Sequence, residues 1–122
     1  MSNPEKLVII STIGPDNQEK AILPFVIANG ALTVDAEVVV ILQSAAVLLA
    51  KKGVADHINS PELMPLKDLI DSFIELGGKL LLCSPCIKER KIKTEDLIPN
   101  SVIVAAGTVV DEVMSAKSVI TY

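Results

Sequence analysis

Five short aliphatic runs recur along the chain, at residues 7–11, 36–42, 79–83, 101–105 and 118–121. They are rich in Val, Ile and Leu and lack strict alternation of apolar and polar positions, which is the pattern of strands covered on both faces. The intervening segments carry helix punctuation. Asp16 and Asn17 offer caps for a helix ending near Asn29 and Gly30, and Pro24 inside it predicts a kink or a late start. Ser44 offers a cap for a second helix that closes at Lys51, Lys52 and Gly53. Pro65 opens the clearest one: Leu66, Leu69, Ile70, Phe73 and Leu76 form one stripe, and Gly77 and Gly78 end it. Thr108 offers a cap for the last helix, with Asp111 in its first turn and Val110, Val113 and Met114 facing inward. Residues 54–64 form the one long irregular stretch, a candidate flap or interface loop.

Strands that alternate with helices must run parallel, with right-handed crossovers. The pattern predicts a three-layer α/β/α domain around a five-stranded parallel sheet. A length of 122 residues fits one domain, residues 1–122. Aromatics are 2% of the chain, so its core must be built from aliphatic side chains.

The formal net charge of -4 and the scarcity of stacking aromatics argue against a nucleic-acid partner. The longest apolar region, residues 38–50, is interrupted by Gln43 and Ser44 and falls short of a membrane span. The opening Met1-Ser2-Asn3-Pro4-Glu5 lacks the basic and then apolar stretch of a secretory leader. A cytoplasmic, reducing setting is the expectation, and there a C-x-x-C spacing reads as redox or sulfur chemistry.

Ligands of open parallel sheets bind beyond the carboxyl ends of the strands. Of those ends, only Cys83-Ser84-Pro85-Cys86 carries a strong nucleophile. Ser84 is the expected N-cap and Pro85 the expected first helical residue, which places Cys86 in the first turn. Free N–H groups there, with Lys88, Arg90 and Lys91 following, favour thiolate over thiol. The same features suit an anionic sulfur compound such as a persulfide, thiosulfate or sulfite. Cys83 and Cys86 are the candidate catalytic residues. Ser84, Lys88 and Arg90, with Thr12 and Gly14 after the first strand, are the candidate substrate-binding residues. The plainer reading makes each cysteine a small buried hydrophobe and the three basic residues a solvated face. His57, the single histidine, reads as a loop surface residue. One His and two Cys cannot close a tetrahedral zinc site within a chain. No G-x-G-x-x-G or G-K-[ST] motif is present, so neither a cofactor nor a metal is expected.

From Lys6 to Tyr122 the chain resembles the DsrE/DsrF-like (TusD-like) sulfur-relay family. The resemblance rests on Ser11-Thr12-Ile13-Gly14-Pro15-Asp16, on the strand after Glu37 and the helix after Leu66, and above all on residues 82–92. There, Leu82-Cys83-Ser84-Pro85-Cys86 runs into Arg90-Lys91-Ile92, with Lys91 where the family usually has glycine. The resemblance implies a homo-oligomer (trimer, dimer or hexamer) that holds sulfane sulfur on a cysteine, as a persulfide or thiosulfonate. Donor and acceptor proteins would be its partners. It makes Cys83 the family cysteine and Cys86 a second one found in part of the family. A sulfurtransferase subunit is the leading reading. The alternatives are a C-x-x-C dithiol oxidoreductase and a non-catalytic oligomeric binding subunit.

Overall fold

The computed structural model describes residues 4–122, so Met1, Ser2 and Asn3, read above for a leader, lie outside the described residues. Five strands form one parallel sheet: β1 (Lys6–Ser11), β2 (Glu37–Leu42), β3 (Lys79–Cys83), β4 (Ser101–Val104) and β5 (Ser118–Thr121). Their order is β4-β3-β2-β1-β5, and the expected three-layer α/β fold is present. Each connection from β1 to β4 steps the same way across the sheet, so right-handed crossovers place their helices on one face. The last connection returns to the opposite edge, which puts its helix on the other face.

The thick layer contains α1 (Gln18–Thr33), the 3₁₀ helix Ser44–Ala50, α2 (Leu66–Glu75) and α3 (Ser84–Glu89). Their side chains Ile22, Phe25, Val47, Leu49, Phe73 and Ile87 bury against Ile9, Val40, Leu42, Leu80 and Leu82. Phe25 and Phe73 meet edge-on across the α1–α2 contact, with ring centroids 5.9 Å apart. The thin layer is α4 alone (Ala106–Met114), which packs Val109 and Val113 on Val8, Val39, Ile41 and Leu81.

Asn17 caps α1 as expected, its Oδ1 accepting from Lys20 N at 3.1 Å. The helix starts at Gln18 with Pro24 inside and runs past Gly30 to Thr33. Its stop is Asp35, at φ 66, with Ala36 N bonded back to Ala31 O and Asp35 N to Leu32 O. Asn29 does not end the helix. Its amide donates to Phe25 O and Leu69 O, which ties α1 to α2. The Gly77–Gly78 stop holds. Gly77 sits at φ 95, and Gly78 N bonds Phe73 O at 2.8 Å.

Four expected details differ. The segment after β2 is a 3₁₀ helix, and Ser44 is its first residue at φ 53, not its cap. Cys83, not Ser84, occupies the cap position of α3. Ala105, not Thr108, precedes α4. Residues 54–64 are partly ordered, by the 3₁₀ turn Ala55–His57 and a Ser60–Leu63 bridge.

The inward face of α4 also differs, because Val110 and Met114 are exposed and Glu112 is buried. Apolar periodicity alone gave no reason to bury a carboxylate. Glu112 receives Lys6 Nζ at 2.8 Å and Lys79 Nζ at 3.0 Å, from the first residues of β1 and β3. Burial pushes its carboxyl up, but the two ammonium donors outweigh burial and hold it below the ordinary value of 4.5. Such a group stabilises the fold fully above that value, and the contribution is lost as pH falls through the lowered folded value. Glu112→Gln is expected to cost about 1–3 kcal/mol near neutral pH. Urea unfolding should show that deficit shrinking once the pH drops below about 4.5. A deficit independent of pH would contradict the ion-pair explanation.

Candidate functional site

The sheet order makes β2 and β3 neighbours, so the segments leaving their carboxyl ends lie side by side. The β2 end supplies Gln43 and Ser44, and the β3 end supplies Cys83 and α3. Cys83 and Cys86 are free and half-buried, one at each end of the C-x-x-C, with sulfurs 2.6 Å apart. The backbone N–H of Ser44 donates to Cys86 Sγ at 3.2 Å.

The expected ionisation of Cys83 is not what the site favours. Burial is the largest influence and pushes its thiol up, and the hydrogen bond and charge of Cys86 push the same way. The Cys86 backbone amide and the Arg90 guanidinium pull it down, and they lose. The basic neighbours are too weakly engaged to reverse burial. Lys88 is exposed, and Arg90 is turned back so that Nη1 donates to the Cys86 carbonyl at 3.3 Å.

The remaining candidates divide. Ser84 is the first residue of α3, half-buried beside the thiols. Gly14 is buried, and a Cβ there would lie 2.7 Å from Ala45 O, so it belongs to the packing under the Ser44 turn. Thr12 is engaged elsewhere: its N–H and Oγ both donate to Tyr122 O, at 3.1 and 3.0 Å, which closes β1 against β5. His57 is exposed on the turn Ala55–His57. Lys91, at the position where glycine was expected, takes the left-handed φ of 54 that glycine favours. Ile92 N bonds Ile87 O there and stops α3.

Sequence reading missed the amide of Ser44, because a backbone donor has no residue signature. Its only trace was that residue 44 follows a strand adjacent to β3. A groove of about 450 Å³ between α2 and residues 98–100 shares no lining residue with the thiol pair. Among the described residues, no cluster of His, Cys, Asp or Glu suits a metal ion. Among them, too, no helix is long and apolar enough to cross a membrane.

With Cys86→Ser, burial of Cys83 remains. Alkylation of Cys83 by iodoacetamide should then show a pH midpoint above the roughly 8.5 of a free cysteine. A midpoint at or below that value would mean that the basic neighbours win.

The chain is similar to known proteins over its whole described length. It is 31% identical over 117 residues to the uncharacterized protein MJ0989 of Methanocaldococcus jannaschii, which covers 96% of this chain and 99% of that protein. It is 30% identical over 125 residues to the uncharacterized protein MK0008 of Methanopyrus kandleri, with both chains fully covered. Its fold matches the crystal structure of the ychN protein from E. coli with a TM-score of 0.83, at 21% identity, over 97% of this chain and 99% of that one. Residues 5–122, which contain the thiol pair and all five strands, match the DsrE/DsrF-like family, and the chain belongs to that family.

Proposed function

We propose that this protein is a sulfur carrier that holds a sulfane sulfur on its Cys83–Cys86 pair and passes it between partner proteins in an intracellular, cytoplasmic relay. The observation that carries the reading is the site itself. Two free thiols stand 2.6 Å apart at the carboxyl rim of a parallel sheet, half-buried, with a backbone amide donating to one of them. A half-buried sulfur is shielded from bulk solvent and still open to a partner's thiol, which suits exchange through a persulfide. Membership of the DsrE/DsrF-like family supports the same chemistry. The pair also bears on the dithiol-oxidoreductase alternative, since sulfurs this close are placed to form a disulfide. Against that alternative, the sheet is parallel throughout.

Brief exposure to inorganic tetrasulfide should add the mass of one sulfur atom to the intact protein, before the thiol pair can close to a disulfide and release it as sulfide. The adduct should be removed by dithiothreitol and be absent from the Cys83→Ser/Cys86→Ser double variant. An adduct that survives in the double variant sinks the assignment.

The carrier is further proposed to work as a homo-oligomer joined through its thin layer. One nine-residue helix covers that face, and Val110 and Met114 on α4, Val102 on β4 and Val119 on β5 are exposed there. Aliphatic surface of this kind is the type that self-association buries. Val110→Asp/Met114→Lys should shift the protein toward the monomer in sedimentation velocity, with Tm little changed. An unchanged sedimentation coefficient would refute this face as the contact.

A further inference from the structure

Ser44 adopts φ 53, in the left-handed region that residues with a Cβ disfavour. In that conformation its N–H donates to Cys86 Sγ at 3.2 Å. The turn is held from behind. A Cβ at residue 14 would come within 2.7 Å of Ala45 O and 2.8 Å of Ala45 Cβ, so only glycine lets the β1 and β2 ends approach this closely. Gly14, Ala45, Ser44 and Cys86 thus form one packed sequence of contacts that ends at a sulfur. Gly14 is buried, and Ala46 N bonds Gln43 O at 3.1 Å to close the turn.

An N–H donor favours the anionic form of the sulfur it meets. Two sulfurs this close resist ionising together, because one thiolate disfavours the other. Burial and the neighbouring sulfur push the Cys83 thiol up, whereas the Ser44 amide is aimed at Cys86 Sγ. We propose that Cys86 is the sulfur-accepting nucleophile, that Cys83 is the resolving thiol, and that Gly14 and Ser44 are positioning residues that hold an amide against Cys86 Sγ. The proposal rests on the carrier reading of the pair and moves the sulfur-holding role from Cys83, the cysteine the family resemblance singled out, to Cys86.

The donor class is a persulfide or polysulfide. The Cys86 thiolate attacks the donor's terminal sulfane sulfur. A Cys86 sulfur–sulfur bond forms and the donor's breaks, its electron pair leaving on the donor sulfur as a thiolate. The proton stays on the transferred atom, and no net oxidation occurs. An acceptor thiolate attacking that terminal sulfur reverses the exchange and restores the Cys86 thiolate. Without an acceptor, Cys83 attacks Cys86 Sγ. A Cys83–Cys86 disulfide forms, and the sulfane sulfur takes the two electrons given up by the thiols and leaves with the Cys83 proton as hydrogen sulfide.

The test loads the wild type and each single variant with inorganic tetrasulfide at pH 7 and follows intact mass and sulfide release. Cys83→Ser should gain one sulfur and release no sulfide on standing. Cys86→Ser should load about tenfold more slowly or not at all, because burial still disfavours the Cys83 thiolate. Rapid loading of Cys86→Ser with none in Cys83→Ser overturns the assignment and leaves the carrier reading intact. A wild type that neither gains sulfur nor releases sulfide with closure of the Cys83–Cys86 disulfide overturns the carrier reading itself.

The positioning role is read separately. In the Cys83→Ser background, Gly14→Ala should raise the pH midpoint of Cys86 alkylation, whereas a purely structural glycine would lower Tm and leave the midpoint in place. A readout that does not depend on Gly14→Ala folding is amide exchange by NMR. The Ser44 amide should be protected in the wild type and exchange faster in Cys86→Ala. Equal exchange in the two proteins overturns the contact.

Discussion

The close approach of the turns that leave β1 and β2 is the constraint on which the site depends. Gly14 is packed against Ala45 with no room for a side chain. Ala45 follows Ser44, whose strained backbone presents its N–H to Cys86. Because β2 lies between β1 and β3, a contact made behind β2 is felt at the thiols in front of β3. The sheet order therefore turns a packing requirement at one strand end into an electrostatic one at another. This is also why a residue with no chemistry of its own, Gly14, belongs to the site.

The two thiols are chemically unequal although they are three residues apart. Cys83 ends a strand whose preceding residues, Leu80 to Leu82, are buried, and it inherits their desolvation. Cys86 lies one helical turn on, where a neighbouring loop can reach it. A pair with one sulfur pushed toward the thiol by burial and the other supplied with a hydrogen-bond donor is asymmetric before any substrate arrives. On the proposed assignment, that asymmetry sets the direction of exchange, which a symmetric dithiol lacks.

The two faces of the sheet are held by different forces. The thick layer is fastened by aliphatic packing, the Phe25–Phe73 contact and the Asn29 amide bridging two helices. The thin layer has one helix, so its hydrophobic contribution is small. It is supplemented by an ion cluster, Glu112 clasped by Lys6 and Lys79, with Ser115 also bonded to Lys6. The cluster fixes α4 to the amino-terminal edge of the sheet, at the end opposite the thiols. The two ends thus differ, one carrying the ion cluster and the other the thiol pair.

The sequence by itself determined the strands, their parallel sense and the cysteine pair. Aliphatic runs joined by helices leave few other arrangements for 122 residues, and a strand that ends in Cys-x-x-Cys puts both sulfurs at the sheet's rim. Asn17 and the Gly77–Gly78 stop were legible too, because caps act on their own helix. The missed features depend on residues distant in sequence. The end of α1 was set by Asp35 because Asn29 is occupied by α2, and Glu112 turned inward because lysines from two strands wait there. Local patterns carry no record of such partners. Tertiary structure alone decided that Ser44 faces Cys86 and that Cys83 is desolvated, since hydrogen bonding and burial belong to the assembled sheet and not to any stretch of chain.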